Sequence, residues 1–131
     1  MFYIHTTDDG RQLPTECLPC SAIAPKYGQA MYMKSGKLAV AGGANKAEYV
    51  SVQNEEHNLA DGDICAVVKI QKDQIWRAPK DAATEMTVGD GYDVTADGLG
   101  VDADGTSTGN FVVTAVEDQA EGGLVFGRFA V

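Results

Sequence analysis

The sequence predicts an all-β domain, a small β-barrel or β-sandwich, preceded by an extended N-terminal arm. Three observations carry this. Apolar residues come in runs of four to seven, separated by Gly, Asp, Asn and Ser, which is the pattern of strands and turns. Glycine supplies 15 of 131 residues, as expected where tight turns need positive φ. The most helix-tolerant stretch, Asp81-Ala82-Ala83-Thr84-Glu85-Met86, is too short to be stable as a helix alone. A chain of this length holds one domain with a real hydrophobic core and is too short for two of ordinary size.

Residues 1–25 form the predicted arm, because Pro14, Pro19 and Pro25 remove three backbone donors and fix φ three times. Residues 26–131 form the β domain. Within it, residues 27–33 and 38–40 read as two strands around a Ser35-Gly36 turn, and residues 47–52 as a third beyond Gly42-Gly43. A polar loop over 54–63 closes on Asp61-Gly62. Residues 64–70 then place Ile64, Ala66, Val68 and Ile70 on one face. Residues 74–77 make a shorter strand closed by Pro79, with Trp76 as core filler. Residues 91–95 precede the acidic turns at Asp97-Gly98 and Asp104-Gly105. Residues 110–116 are the clearest strand, with Phe111, Val113 and Ala115 on one face and Val112 and Val116 on the other. Residues 124–131 end the chain as a strand tied into the sheet, where Gly127 predicts a bulge or a close backbone approach. Eight to ten short strands in one domain fit a barrel or a sandwich.

The charges are unevenly placed. Residues 1–80 hold nine acids and nine bases, whereas residues 81–131 hold ten acids and one base, Arg128, so the net charge of −9 sits in the last two-fifths. Such a surface repels phosphate backbones and anionic lipids, which argues against nucleic acid and membrane as partners. No run approaches eighteen apolar residues, and the start of the chain lacks the basic and apolar segments of a secretory signal. Three cysteines, Cys17, Cys20 and Cys65, make no complete disulfide framework, as expected of an intracellular, reduced chain.

Candidate chemistry is sparse. Cys17-Leu18-Pro19-Cys20 could be half of a zinc site completed by Cys65 and His57 or His5, but no second knuckle supports it. The plainer reading is a pair of small residues pinning the arm to the core. The turn at Asp102-Ala103-Asp104-Gly105 lacks both ends of an EF-hand loop. No nucleophile elbow, phosphate loop or paired acid and base is present. The sequence therefore predicts no enzyme, no cofactor and no metal. The remaining apolar feature is the cluster Phe2, Tyr3 and Ile4, a docking tip suited to laying a strand along another chain.

Residues 87–95, together with Gly109, Phe111 to Val116, Glu117-Asp118, Gly122 and the strand from Leu124, resemble the small head decoration or capsid cement proteins of tailed bacteriophages. That resemblance implies a tulip- or barrel-like domain, commonly a homotrimer. It would bind the outside of an assembled head, with the major capsid protein as partner. It also implies a place on the virion surface after synthesis in the bacterial host cytoplasm. Phe2, Tyr3 and Ile4 are then partner-binding on a mobile arm, and removal of residues 1–15 leaves the domain folded. The alternatives are a zinc-containing β-domain binding module, a phage tail or baseplate component, and a sugar-binding or hydrolytic barrel with Trp76 in its cleft.

Overall fold

A computed structural model describes every residue except 9, 11–12 and 54–57, so the proposed ligand His57 lies outside the described residues. The described residues form strands, turns and loops with no helix. The strands are β1 (Tyr3–Thr7), β2 (Thr15–Pro19), β3 (Ala30–Lys34), β4 (Lys37–Val40), β5 (Tyr49–Ser51), β6 (Ile64–Lys69), β7 (Gln74–Pro79), β8 (Gly91–Val94), β9 (Val101–Asp102), β10 (Phe111–Val116) and β11 (Leu124–Phe129). The all-β reading is therefore correct.

The barrel is not. The strands sort into two antiparallel sheets, ordered β1-β7-β11-β10-β8-β9 and β2-β6-β5-β3-β4, and neither closes on itself. Closure is unnecessary because the two sheets cover each other. Trp76, Val113, Val125 and Phe129 of the first share one core with Ala30, Val50 and Val68 of the second. The other face of the second sheet carries its own smaller core. Val67, next to Val68 in β6, has the opposite orientation and packs with Cys20, Met31, Leu38, Leu59 and Cys65. The segment around Ile23 and Leu59 closes over it, joined by a hydrogen bond from Leu59 N to Ile23 O of 2.8 Å.

The extended N-terminal arm is also corrected. Its first strand, β1, pairs antiparallel with β7, and its second, β2, pairs with β6. Phe2 is 1% exposed, with its ring 5.0 Å from Phe129 and 5.7 Å from Phe111. The prolines misled because both sheet strands here are edges. Pro14 precedes β2 and Pro19 ends it, positions where a missing donor disrupts no central ladder. Gly28 is the counterpart that lets the N-terminus in. Its N–H is bonded to Ser51, its carbonyl accepts from Phe2 N at 2.7 Å, and a side chain there would meet Phe2 O at 2.9 Å.

Strand β10 is central, between β11 and β8, as its apolar character suggested. Its faces are not those of simple alternation. The register with β11 shifts between Val113 and Ala115, which turns Ala115 outward and lets Val116 pack against the core. Gly127 lies opposite the shift and answers to the expected close approach. A Cβ there would stand 2.4 Å from Val112 O and 2.6 Å from the Phe111 ring. Gly127→Ala is expected to destabilise the domain by about 1–3 kcal/mol, since backbone and a packed ring must both yield. Urea denaturation measures it, and a loss near zero would contradict the packing.

Candidate functional site

The three residues of the expected docking tip part company in β1. Phe2 points into the shared core, as above. Tyr3 lies opposite Arg77 on the outer face of the first sheet, 38% exposed, with the guanidinium 5.5 Å above its ring and Tyr27 at 5.9 Å. Ile4 is opposite Trp76, so it faces inward, yet it remains 40% exposed because β1 is the last strand of its sheet.

That edge opens onto a groove of about 760 Å³ between the two sheets. Ile4, Leu13, Val52, Ala66 and Val68 give it an apolar floor, and Thr6 and Thr15 supply hydroxyls. Among the described residues no carboxylate or amine lines it. His5 and Tyr27 also line it, and an apolar trough beside an edge strand can bind an extended segment.

The outer face beside the groove differs in character. His5 stacks edge-on against Phe126 at 4.7 Å. Arg128 donates to Lys72 O at 2.7 Å and to Asp8 Oδ1 at 3.0 Å. Among the described residues, Arg77 meets the Tyr3 ring and no carboxylate. Tyrosines stacked with arginine are typical of binding surfaces. The sequence placed Tyr3 and Tyr27 near the arm and Arg77 beside Trp76. It lacked the β1–β7 pairing that brings them together.

The opposite end of the sheet is acidic but committed to structure. Asp93, 4% exposed, accepts from Ser107 N at 3.2 Å and Oγ at 2.6 Å, and from Thr108 N at 2.7 Å and Oγ1 at 2.5 Å. Burial alone would push its carboxyl up; these four hydrogen bonds outweigh it and hold the group below the usual carboxylate range. Asp102 caps its own turn through Asp104 N and Gly105 N, both at 3.0 Å. Lys80, 1% exposed, is fixed by Thr84 O at 2.6 Å and by Gln119 O and Oε1, both at 2.8 Å.

The cysteines do not form a knuckle. Cys17 is exposed on the edge strand, opposite Ala66. Cys20 and Cys65 are buried in the smaller core, and burial pushes both thiols up. Among the described residues no three His, Cys, Asp or Glu side chains stand together as metal ligands. Trp76 is 3% exposed and donates to Gln74 Oε1 at 3.1 Å, so it lines no cleft for a sugar. Compared with known proteins, the chain matches no protein-family model and no curated protein.

Proposed function

We propose that this chain is a structural protein that binds the outer surface of an assembled phage capsid. Its partner is the major capsid protein, its working state a homotrimer, and its place the head surface of the virion. The observation that carries the reading is the edge of β1 beside the apolar groove, with Ile4 at its mouth. A strand of the partner laid along that edge would gain main-chain hydrogen bonds, and alternate side chains would enter the groove. The resemblance in residues 87–129 supplies the phage-head context. Binding to the assembled shell but not to its free subunits stabilises the shell by linkage, without any chemical step.

Docking here belongs to a fixed edge, anchored by Phe2, and not to a mobile tip. The purified chain is expected to co-sediment with cognate assembled heads and not with unassembled capsid subunits. Ile4→Asp is expected to weaken that binding by about tenfold or more, the scale of one buried interface anchor, with little change in melting temperature. Heads that leave the wild-type chain in the supernatant would overturn the proposal.

A further inference from the structure

The edge of the first sheet farthest from β1 sets three oxygen-bearing side chains in a row. Asp93 of β8 is directly opposite Asp102 of β9. Extending the pairing of Phe111 with Tyr92 by one residue places Asn110 on the other flank of Asp93. Phe111, Tyr92 and Val101 belong to the shared core, so by alternation Asn110, Asp93 and Asp102 all face the opposite way. The segment 105–109 covers them. Gly105 O accepts from Asp93 N at 2.7 Å, and the hydroxyls of Ser107 and Thr108 donate to the Asp93 carboxylate.

Two features of this row go unanswered by the fold. The first is electrostatic. Like charges directly opposite each other are destabilising, yet residues 81–127 contain no basic residue to offset the pair, and Lys80 gives its ammonium to Thr84 and Gln119. The carboxylates even converge: a Cβ on Gly105 would stand 2.5 Å from Asp102 Oδ2 and 3.1 Å from Asp93 Oδ2. The turn uses only Oδ1 of Asp102, and among the described residues nothing donates to its Oδ2. The second feature is Asn110. Its side chain is fully buried, and neither Oδ1 nor Nδ2 has a hydrogen-bond partner. A buried polar group left in that state costs stability and marks a missing ligand.

We propose that Asp93, Asp102 and Asn110 bind a divalent cation, calcium in preference to magnesium. Ser107 Oγ donates its hydrogen to Asp93 and keeps lone pairs for the same ion. Oxygen donors alone select a hard cation. Calcium tolerates an irregular shell, such as strand register imposes here, whereas magnesium demands a near-ideal octahedron. Two charges and few protein donors put the site at the weak end of calcium modules, with Kd about 10⁻⁴–10⁻³ M. The spacing of an EF-hand is absent because the ligands come from three different strands. The groove at β1 takes no part.

Calorimetric titration and thermal melts of the full-length chain, stripped with EDTA and held at constant ionic strength, test this with calcium chloride alone. The wild type is expected to bind one calcium ion and to melt about 5 °C or more higher at about 10 mM calcium. Magnesium at the same concentration is expected to give a clearly smaller rise. Asp102→Asn keeps an acceptor for the two turn hydrogen bonds and removes one charge. It is expected to weaken calcium binding by about tenfold or more, while melting in EDTA no lower than the wild type, since the like-charge pair is relieved. Asn110→Ala removes no hydrogen bond of the folded protein and is expected to weaken binding as well. A wild type that neither binds calcium nor gains in melting temperature would overturn the proposal. So would magnesium that matches calcium, the sign of general charge screening, or an Asp102→Asn variant with wild-type affinity, which would place the ion elsewhere. No readout involves phage heads, so failure here is distinct from failure of the capsid reading.

Discussion

Phe2→Ala is expected to lower the unfolding free energy by about 3–5 kcal/mol, the range for truncating a buried aromatic side chain. The ring is sealed against Phe111 and Phe129, which also pack on each other at 5.2 Å, and Trp76 meets Phe129 at 6.0 Å. Removing one member leaves a cavity that three rigid rings cannot fill. A loss of that size is a large share of the 5–15 kcal/mol typical of a domain. Deletion of residues 1–15 removes Phe2 and all of β1, so it too is expected to unfold or severely destabilise the protein. Equilibrium urea denaturation separates the possibilities; a Phe2→Ala loss below about 1 kcal/mol would mean that the N-terminal strand is not anchored as described.

Asp93→Asn is expected to cost about 2–4 kcal/mol at neutral pH, since an amide nitrogen replaces one acceptor before the donors of Ser107 or Thr108 and the charge assistance disappears. The pH dependence has a definite sign. Because the folded carboxyl titrates below its ordinary range, its contribution is complete above the unfolded pKa of about 4 and is lost as pH falls through the lower folded value. The stability gap between wild type and Asp93→Asn is therefore expected to be constant near neutrality and to narrow only in stronger acid. Thermal melts of both proteins across that range check this. A gap that closes already between pH 5 and 7 would assign the effect to another group.

Local features of the fold were readable in the sequence and long-range ones were not. Period-two alternation located β6, a continuous apolar run located β10, and the Gly and Asp punctuation located the turns, because these signals lie within a few residues of each other. Trp76 was recognisable as core from its size. Two open sheets could not be told from a barrel, because the difference lies in whether β1 meets β9 or stops, and no local pattern encodes that. The prolines of the first 25 residues suggested an arm, since a proline disrupts a central strand but not an edge strand, and edge position is again a property of the whole. The shift at Val113 and Ala115 reversed the expected faces of Ala115 and Val116, although Gly127 had signalled an irregularity opposite. Of the expected docking tip, Tyr3 and Ile4 are exposed whereas Phe2 is buried. The groove and the stacked Arg77 arise only when distant strands pair.

The placing of β1 beside β7, itself flanked by β11, has a consequence for biosynthesis. Strand β1 waits for a partner some seventy residues later (Tyr3 opposite Arg77), and that partner acquires its second neighbour only from β11. Until β7 is made β1 has no partner, and until Phe111 and Phe129 are made the Phe2 ring lacks the rings that cover it. Such high contact order slows folding and leaves nascent chains prone to clumping, so cellular yield should fall more steeply with temperature than the stability of the finished molecule would suggest.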